Sequence, residues 1–396
     1  MSIFRAILVF MAIFKTNIPS KLPNAKTTIF TTVGNLARKH KAIDLSQGFP
    51  NFEADKKLMG LVSDAMLHGH NQYAAMQGYY GLREIIAEKI EKLHNRSYNP
   101  EKEITVTVGA TQAIFTAITA FVHPGDEVIV LKPAYDCYEP AIEVNGGVTV
   151  PVQLKGKDYH VDWEEFRTRI TPKTRMVVIN TPHNPSGRIF SKTDMLQLQE
   201  TLRDTNIILV SDEVYEHIVF DGKEHESASR LDDLASRSFV CASFGKTFHV
   251  TGWKMGYCAA PAELMHEFRK THQFAVFCVD HPVQRAMAEY LKNEAHYLEL
   301  KDFYQQKRDY FLSRLAGSKF KFIPSQGTYF QLLDYTAITH ESDEVLARRL
   351  IVDYKLASIA ISSFNLNNRD DKVLRFCFAK TEDTLEKATE ILRRVQ

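Results

Sequence analysis

Through the middle of the chain, short apolar runs rich in β-branched residues alternate with longer stretches whose apolar positions recur at helical spacing. Residues 104–108 read as a strand and about 111–122 as the helix after it. Further strands are predicted at 127–131, 175–179, 207–210 and 239–242, with an amphipathic helix at 194–203. Strands alternating with helices predict a mostly parallel sheet covered on both faces. From about residue 294 the pattern changes to a long helix at 302–315, strand-like runs at 320–323 and 329–333, a helix at 343–354, a strand at 373–378 and a closing helix at 381–395. This predicts an α/β protein of three parts: an N-terminal arm with part of the small domain (1–57), a large domain (58–293) and a small α+β domain (294–396).

At 396 residues, with 44% hydrophobic and 24% charged positions, the composition is that of a globular protein. Basic and acidic residues number 49 and 48, so no charge surplus points to nucleic acid or a membrane surface. The five cysteines are scattered without a C-x-x-C pair, and the fifteen histidines show no ligand spacing. No metal site and no disulfide framework is therefore expected, and a reducing, cytoplasmic compartment fits. Residues 4–14 are apolar except for Arg5. That run is too short to span a bilayer and lacks a small-residue cleavage site, so it reads as an arm packing on another surface or an extra leader.

Chemistry concentrates at the predicted strand ends. The run at 239–242 delivers Ser243 and Lys246 into a loop with nearby glycines, where a lysine of lowered pKa can form an imine with an aldehyde cofactor. The strand at 207–210 leads to Asp212 and Tyr215. A buried carboxylate needs a partner, so Asp212 suits a protonated ring nitrogen and Tyr215 a neighbouring ring oxygen; the alternative is a helix N-cap by Ser211 or Asp212. After 175–179 comes Asn180-Thr181-Pro182-His183-Asn184-Pro185-Ser186-Gly187, a tight loop that either holds the Asn184 amide as a donor or is a plain turn. Gly109-Ala110-Thr111 sits at a strand-to-helix junction suited to a phosphate, unless Thr111 is only an N-cap. There is no Walker loop and no G-x-G-x-x-G after a strand.

Taken in order, Gly109-Ala110-Thr111, Asn184-Pro185-x-Gly187, Asp212-x-x-Tyr215 and Ser243-x-x-Lys246 resemble the class I aminotransferases of the pyridoxal-phosphate fold-type I group, from about Leu45 to the C-terminus. Ser46-Gln47-Gly48-Phe49-Pro50, Asn71-Gln72-Tyr73 and Tyr135-Asp136-Cys137-Tyr138-Glu139-Pro140 are similar to the methionine and kynurenine aminotransferase branch. The resemblance implies a pyridoxal 5′-phosphate enzyme passing an amino group from an L-amino acid to a 2-oxo acid. Lys246 would be the Schiff-base lysine and proton shuttle, and Asp212 the partner of the ring nitrogen. Tyr215 and Asn184 would donate to the ring oxygen, while Ala110, Thr111 and Ser243 hold the phosphate. Tyr135 would stack on the ring, and Tyr73 would reach the phosphate from the other subunit of a homodimer. Arg375 would clamp the substrate carboxylate, with Gly48 adding a backbone contact. Lys254 stands where most of the family has arginine, which keeps the charge on the phosphate but loses the bidentate geometry.

A cysteine-S-conjugate β-lyase would share every one of these residues. A non-catalytic regulatory module would need a DNA-binding segment, and the roughly 45 preceding residues are too few for the usual one. Aromatic residues at 49, 79, 135, 248 and 277, with no defensible second arginine, favour thioether or aromatic substrates over dicarboxylates.

Overall fold

The structure, a computed structural model, describes residues 19–25 and 27–396; the apolar run at 4–14 lies outside them. After a two-residue strand β1 (Ile43–Asp44) come seven strands of one sheet: β2 (Ile104–Thr107), β3 (Glu127–Lys132), β4 (Val148–Gln153), β5 (Thr174–Asn180), β6 (Ile208–Asp212), β7 (Ser238–Ser243) and β8 (Gly256–Ala259). They lie in the order β2-β8-β7-β6-β5-β3-β4. β8 runs antiparallel to both its neighbours, and the contacts from β7 through β4 are parallel.

Side-chain alternation explains why these runs are almost wholly apolar. Val128, Val130, Met176, Val178, Ile208, Val210 and Phe239 point into a core shared with Ile114, Ile118 and Phe268 of the helices Gly109–Phe121 and Ala262–Ala275. The alternate positions Ile129, Leu131, Val177, Ile179, Leu209 and Val240 face Met195 and Leu198 of the helix Lys192–Leu202. A sheet covered on both faces has no polar side to show, so the alternation is invisible in the sequence.

The C-terminal block carries β9 (Phe330–Asp334), β10 (Leu356–Ala357), β11 (Ile359–Ala360) and β12 (Val373–Cys377), with β11-β12-β9 forming an antiparallel sheet. β1 pairs in parallel with β10, and Leu45 accepts from the Cys377 N–H at 2.8 Å, which ties residues 43–45 to this block.

Several elements differ from the sequence expectation. Residues 320–323 make only an isolated bridge, Lys321 to Asp334, because Phe322 and Ile323 are partly exposed. The helix over 343–354 is α-helical for Asp343–Arg349, then widens to a π-helix over Leu350–Tyr354. β4 and β8 were not expected. β4 is an edge strand that contains Pro151, and β8 is four residues of mixed character, Gly-Tyr-Cys-Ala. No helix among the described residues is long and apolar enough to cross a membrane.

Candidate active site

Parallel strands bring their carboxyl ends to one edge of the sheet, where open α/β folds form their crevice. Asn180 at the end of β5 stands in register with Asp212 at the end of β6, and Asp212 with Cys241 of β7. Ser243 ends β7 and caps the short helix Phe244–Thr247, which turns Lys246 into the crevice. The result is a cavity of about 240 Å³ whose walls include Ala110, Tyr135, Asp212, Ser243, Lys246 and Arg375.

Lys246 Nζ donates to Gly48 O at 3.2 Å, and Tyr329 donates to the same carbonyl at 2.6 Å. Burial, which disfavours the charged form, lowers the Lys246 ammonium to about 8. Asp212 is buried as well, and burial raises its carboxyl to about 6. Its Oδ1 accepts from Val214 N–H at 3.3 Å and its Oδ2 from the Tyr138 hydroxyl at 2.5 Å. Residues 214–217 form a turn and not a helix, so neither Ser211 nor Asp212 is an N-cap; the Ser211 hydroxyl donates to Glu213. Tyr215 is buried, and burial drives its phenol well above the usual range.

The helix expected from Thr111 begins two residues earlier, at Gly109, with Val108 at the N-cap and no capping side chain. Thr111 is thus inside the first turn, and backbone donors at Gly109, Ala110 and Thr111 stay open to the cavity. Lys254 curls over this terminus; a Cβ built on Gly109 would lie 3.4 Å from its Nζ. Gly256 allows the close approach behind it, since a Cβ there would sit 2.5 Å from Ala242 O and 3.0 Å from Ala110 N.

On the opposite wall, Arg375 in β12 is 1% exposed. Its guanidinium donates to Asn184 Oδ1 at 2.7 Å and Ser46 O at 2.9 Å, and stacks 3.9 Å from the centroid of Phe330. Its Nε is buried with no hydrogen-bond partner among the described residues. Because Asn184 Oδ1 is occupied, the amide NH₂ is the group left to donate into the cavity, so the 180–187 loop is more than a plain turn. Asn180 holds this loop, accepting from Asn184 N–H at 2.7 Å and donating to Asp212 O at 2.9 Å.

These features match a known family. A model of the class I and II aminotransferases covers residues 40–392. The chain belongs to that family. It is 44% identical to methionine aminotransferase of Escherichia coli (strain K12), over 95% of this chain and 98% of that one. It is 33% identical to kynurenine–oxoglutarate transaminase of Dictyostelium discoideum, covering 91% and 92%. A crystal structure from Escherichia coli described as having a methionine aminotransferase function superposes with TM-score 0.93 at 44% identity, over 95% and 99% of the two chains. The N-succinyldiaminopimelate aminotransferase structure from Mycobacterium tuberculosis gives 0.91 at 34%, over 96% and 100%. The fold is therefore the pyridoxal-phosphate fold type I, and the cofactor of this aminotransferase is pyridoxal 5′-phosphate.

The residues present fit that group. A buried carboxylate faces the cavity from one end, an uncapped helix terminus with a lysine lies at the other, and a buried amine of lowered pKa stands between them. Of the predicted site residues, Gly48, Ala110, Thr111, Tyr135, Asn184, Asp212, Tyr215, Ser243, Lys246, Lys254 and Arg375 all line this one cavity. Tyr73 does not. It is 81% exposed on a surface loop, packed edge-on against Phe277. Of the aromatic residues expected around the substrate, Phe49 and Tyr135 line the cavity, whereas Phe248 is buried against Phe244 and Tyr290, and Tyr79 packs on Arg285.

Sequence reasoning gave no role to Tyr138, Asn180, Phe30 or Phe330. Tyr138 lies within the stretch Tyr135-Asp136-Cys137-Tyr138-Glu139-Pro140, the one signal that points to it; Phe30 and Phe330 come from distant segments that only folding brings to Arg375. Glu213 and Glu216 were likewise passed over. They alternate with Asp212 and Tyr215 but turn the other way: Glu213 bonds His225 at 2.7 Å, and Glu216 bonds Lys89 at 2.7 Å. A larger cavity of about 430 Å³ borders Gly187 and Arg188, but contains none of the predicted site residues, and its Lys157 and Arg369 are paired with Asp334 and Asp371.

Proposed function

We propose that this aminotransferase takes its amino group from an L-amino acid with a thioether or aromatic side chain, methionine foremost, and passes it to a 2-oxo acid. The observation that carries this reading is the wall beside Arg375: Phe30, Phe49 and Phe330 border the place where a carboxylate held by Arg375 would sit. A side chain extending from that carboxylate meets apolar rings, which suit a thioether or an arene and leave a second carboxylate unpaired. The names of the relatives support the same substrate class.

Bound pyridoxal phosphate supplies an aldehyde and a ring that withdraws electrons from the carbon next to the amino group. The protein's own parts divide the remaining work. Lys246, its ammonium lowered by burial, would supply the amine that holds the cofactor's aldehyde and a base placed beside the substrate Cα. Asp212 would hold the ring nitrogen, Tyr215 and Asn184 the ring oxygen, and Tyr135 the ring face. The amides of Ala110 and Thr111, with Ser243 and Lys254, would hold the phosphate. Arg375 binds the substrate carboxylate in a fork, and Gly48 lies beside it.

The active unit we propose is a homodimer in which Tyr73 serves the partner's phosphate site; the exposed loop that carries it, with Tyr73 packed on Phe277, suits such a surface. We further propose a division into 1–57, 58–293 and 294–396, supported by the pairing of β1 with β10. Five unpaired cysteines accord with the cytoplasm. The decisive experiment measures kcat/KM for a panel of amino donors with one 2-oxo acid. Methionine and aromatic donors should lead, and a preference for aspartate or glutamate would defeat the substrate proposal.

A further inference from the structure

Tyr138 opens the helix Tyr138–Val144 and is only 2% exposed. Its hydroxyl is the side-chain donor to Asp212, at Oδ2. We infer that Tyr138 is a positioning residue for the transamination reaction: its O–H fixes the orientation of the Asp212 carboxylate and keeps that group ionised, so that the proton it shares with the cofactor ring stays on the ring nitrogen. This rests on the placement of Asp212 against the ring nitrogen proposed above.

The argument is one of hydrogen-bond capacity and charge. An ionised carboxylate offers about four acceptor sites. Val214 N–H takes one on Oδ1 and Tyr138 one on Oδ2, which pins the plane of the carboxylate and leaves acceptor capacity toward the cavity. In a dry site the neutral arrangement, acid beside unprotonated pyridine, competes with the ion pair, because burial penalises both charges. A donor to the carboxylate tips that balance toward the ion pair. Beyond the Val214 N–H, no other side chain among the described residues supplies such a donor. Glu213, the next residue in the chain, opposes its charge, Cys241 on β7 stands in register with it, and Tyr135 and Cys137 flank it on the approach to the helix. Lys246 favours the ionised form across the cavity, without a hydrogen bond to it. Burial and the neighbouring Asp212 charge both push the Tyr138 phenol far above its usual range, so it stays a donor at every working pH.

The test uses holoenzyme carrying pyridoxal phosphate labelled with ¹⁵N in the ring. In the unaltered protein the ¹⁵N shift should report a protonated nitrogen; if it does not, the Asp212 placement itself fails. In Tyr138→Phe the shift should move toward the unprotonated value, with kcat down about tenfold to a hundredfold, the worth of one hydrogen bond to a charged group. KM for the amino donor should change less than kcat, because the donor's carboxylate is held elsewhere. Placing 4-aminophenylalanine at 138, which fills similar space and donates more weakly, should give a smaller shift in the same direction, and it decides the matter should the phenylalanine variant not fold. A protonated nitrogen whose shift is unmoved in the folded variants overturns the role of Tyr138 while leaving that of Asp212 intact.

Discussion

Lys246 and Arg375 show how burial serves opposite ends at the scale of the residue. A lysine in the unfolded chain titrates near 10.5, and in the cavity at about 8. Between those values the unfolded chain holds a proton that the folded one lacks, so this group's contribution to stability rises with pH across that window. The same shift frees the amine for chemistry. Cofactor-depleted protein mixed with pyridoxal phosphate should therefore develop the bound cofactor's absorbance at a rate that climbs with a midpoint near pH 8, whereas a climb only above pH 10 would contradict the lowered value. Arg375 remains charged despite burial, since guanidinium keeps its proton. Arg375→Lys cannot make the two-pronged contact or hold Asn184 Oδ1, and each charged hydrogen bond lost costs about 1.5–3 kcal/mol. A fall in kcat/KM of about tenfold to a hundredfold or more is expected, with cofactor affinity little changed; equal activity would remove Arg375 from the substrate site.

At the scale of the element, the phosphate end depends on β8 lying close against the start of the helix Gly109–Phe121. Gly256 makes that approach possible: its neighbours are backbone atoms, Ala242 O and Ala110 N, which cannot swing aside. Gly256→Ala should lower stability by about 1–3 kcal/mol, the usual cost of overpacking, and weaken pyridoxal phosphate binding as the amides of the first turn move. A thermal melt and a cofactor titration check both effects, and an unchanged cofactor affinity would show that the turn does not hold the phosphate. The reason for this glycine lies in β8, a strand that periodicity does not reveal. Residues 320–323 show the converse. A local apolar run suggested a strand, yet partial exposure of Phe322 and Ile323 leaves it with one bridge.

At the scale of the whole molecule, Phe274 is 87% and Leu67 82% exposed, in addition to Tyr73. Large apolar side chains left this open usually mark an association surface. Sedimentation should give a dimer for the unaltered protein. Phe274→Asp should shift it toward monomer and depress activity in step with the loss of dimer, whereas full activity as a monomer would exclude a site shared between subunits.

Local sequence determined the reactive groups and the strand–helix rhythm. Lys246, Asp212 and Asn184 each follow a run apolar enough to be a buried strand, and a strand's end is where a polar residue must find a partner. Tertiary structure decided which partners those are. Tyr138 meets Asp212 across 74 positions, Arg375 meets Asn184 across 191 and Ser46 across 329. The buried pairs of Glu213 and Glu216 were illegible for the same reason, since their partners sit on other elements. Spacing along a chain constrains neighbours within a turn or a strand, while contacts between distant segments depend on how the layers pack, which no local pattern encodes.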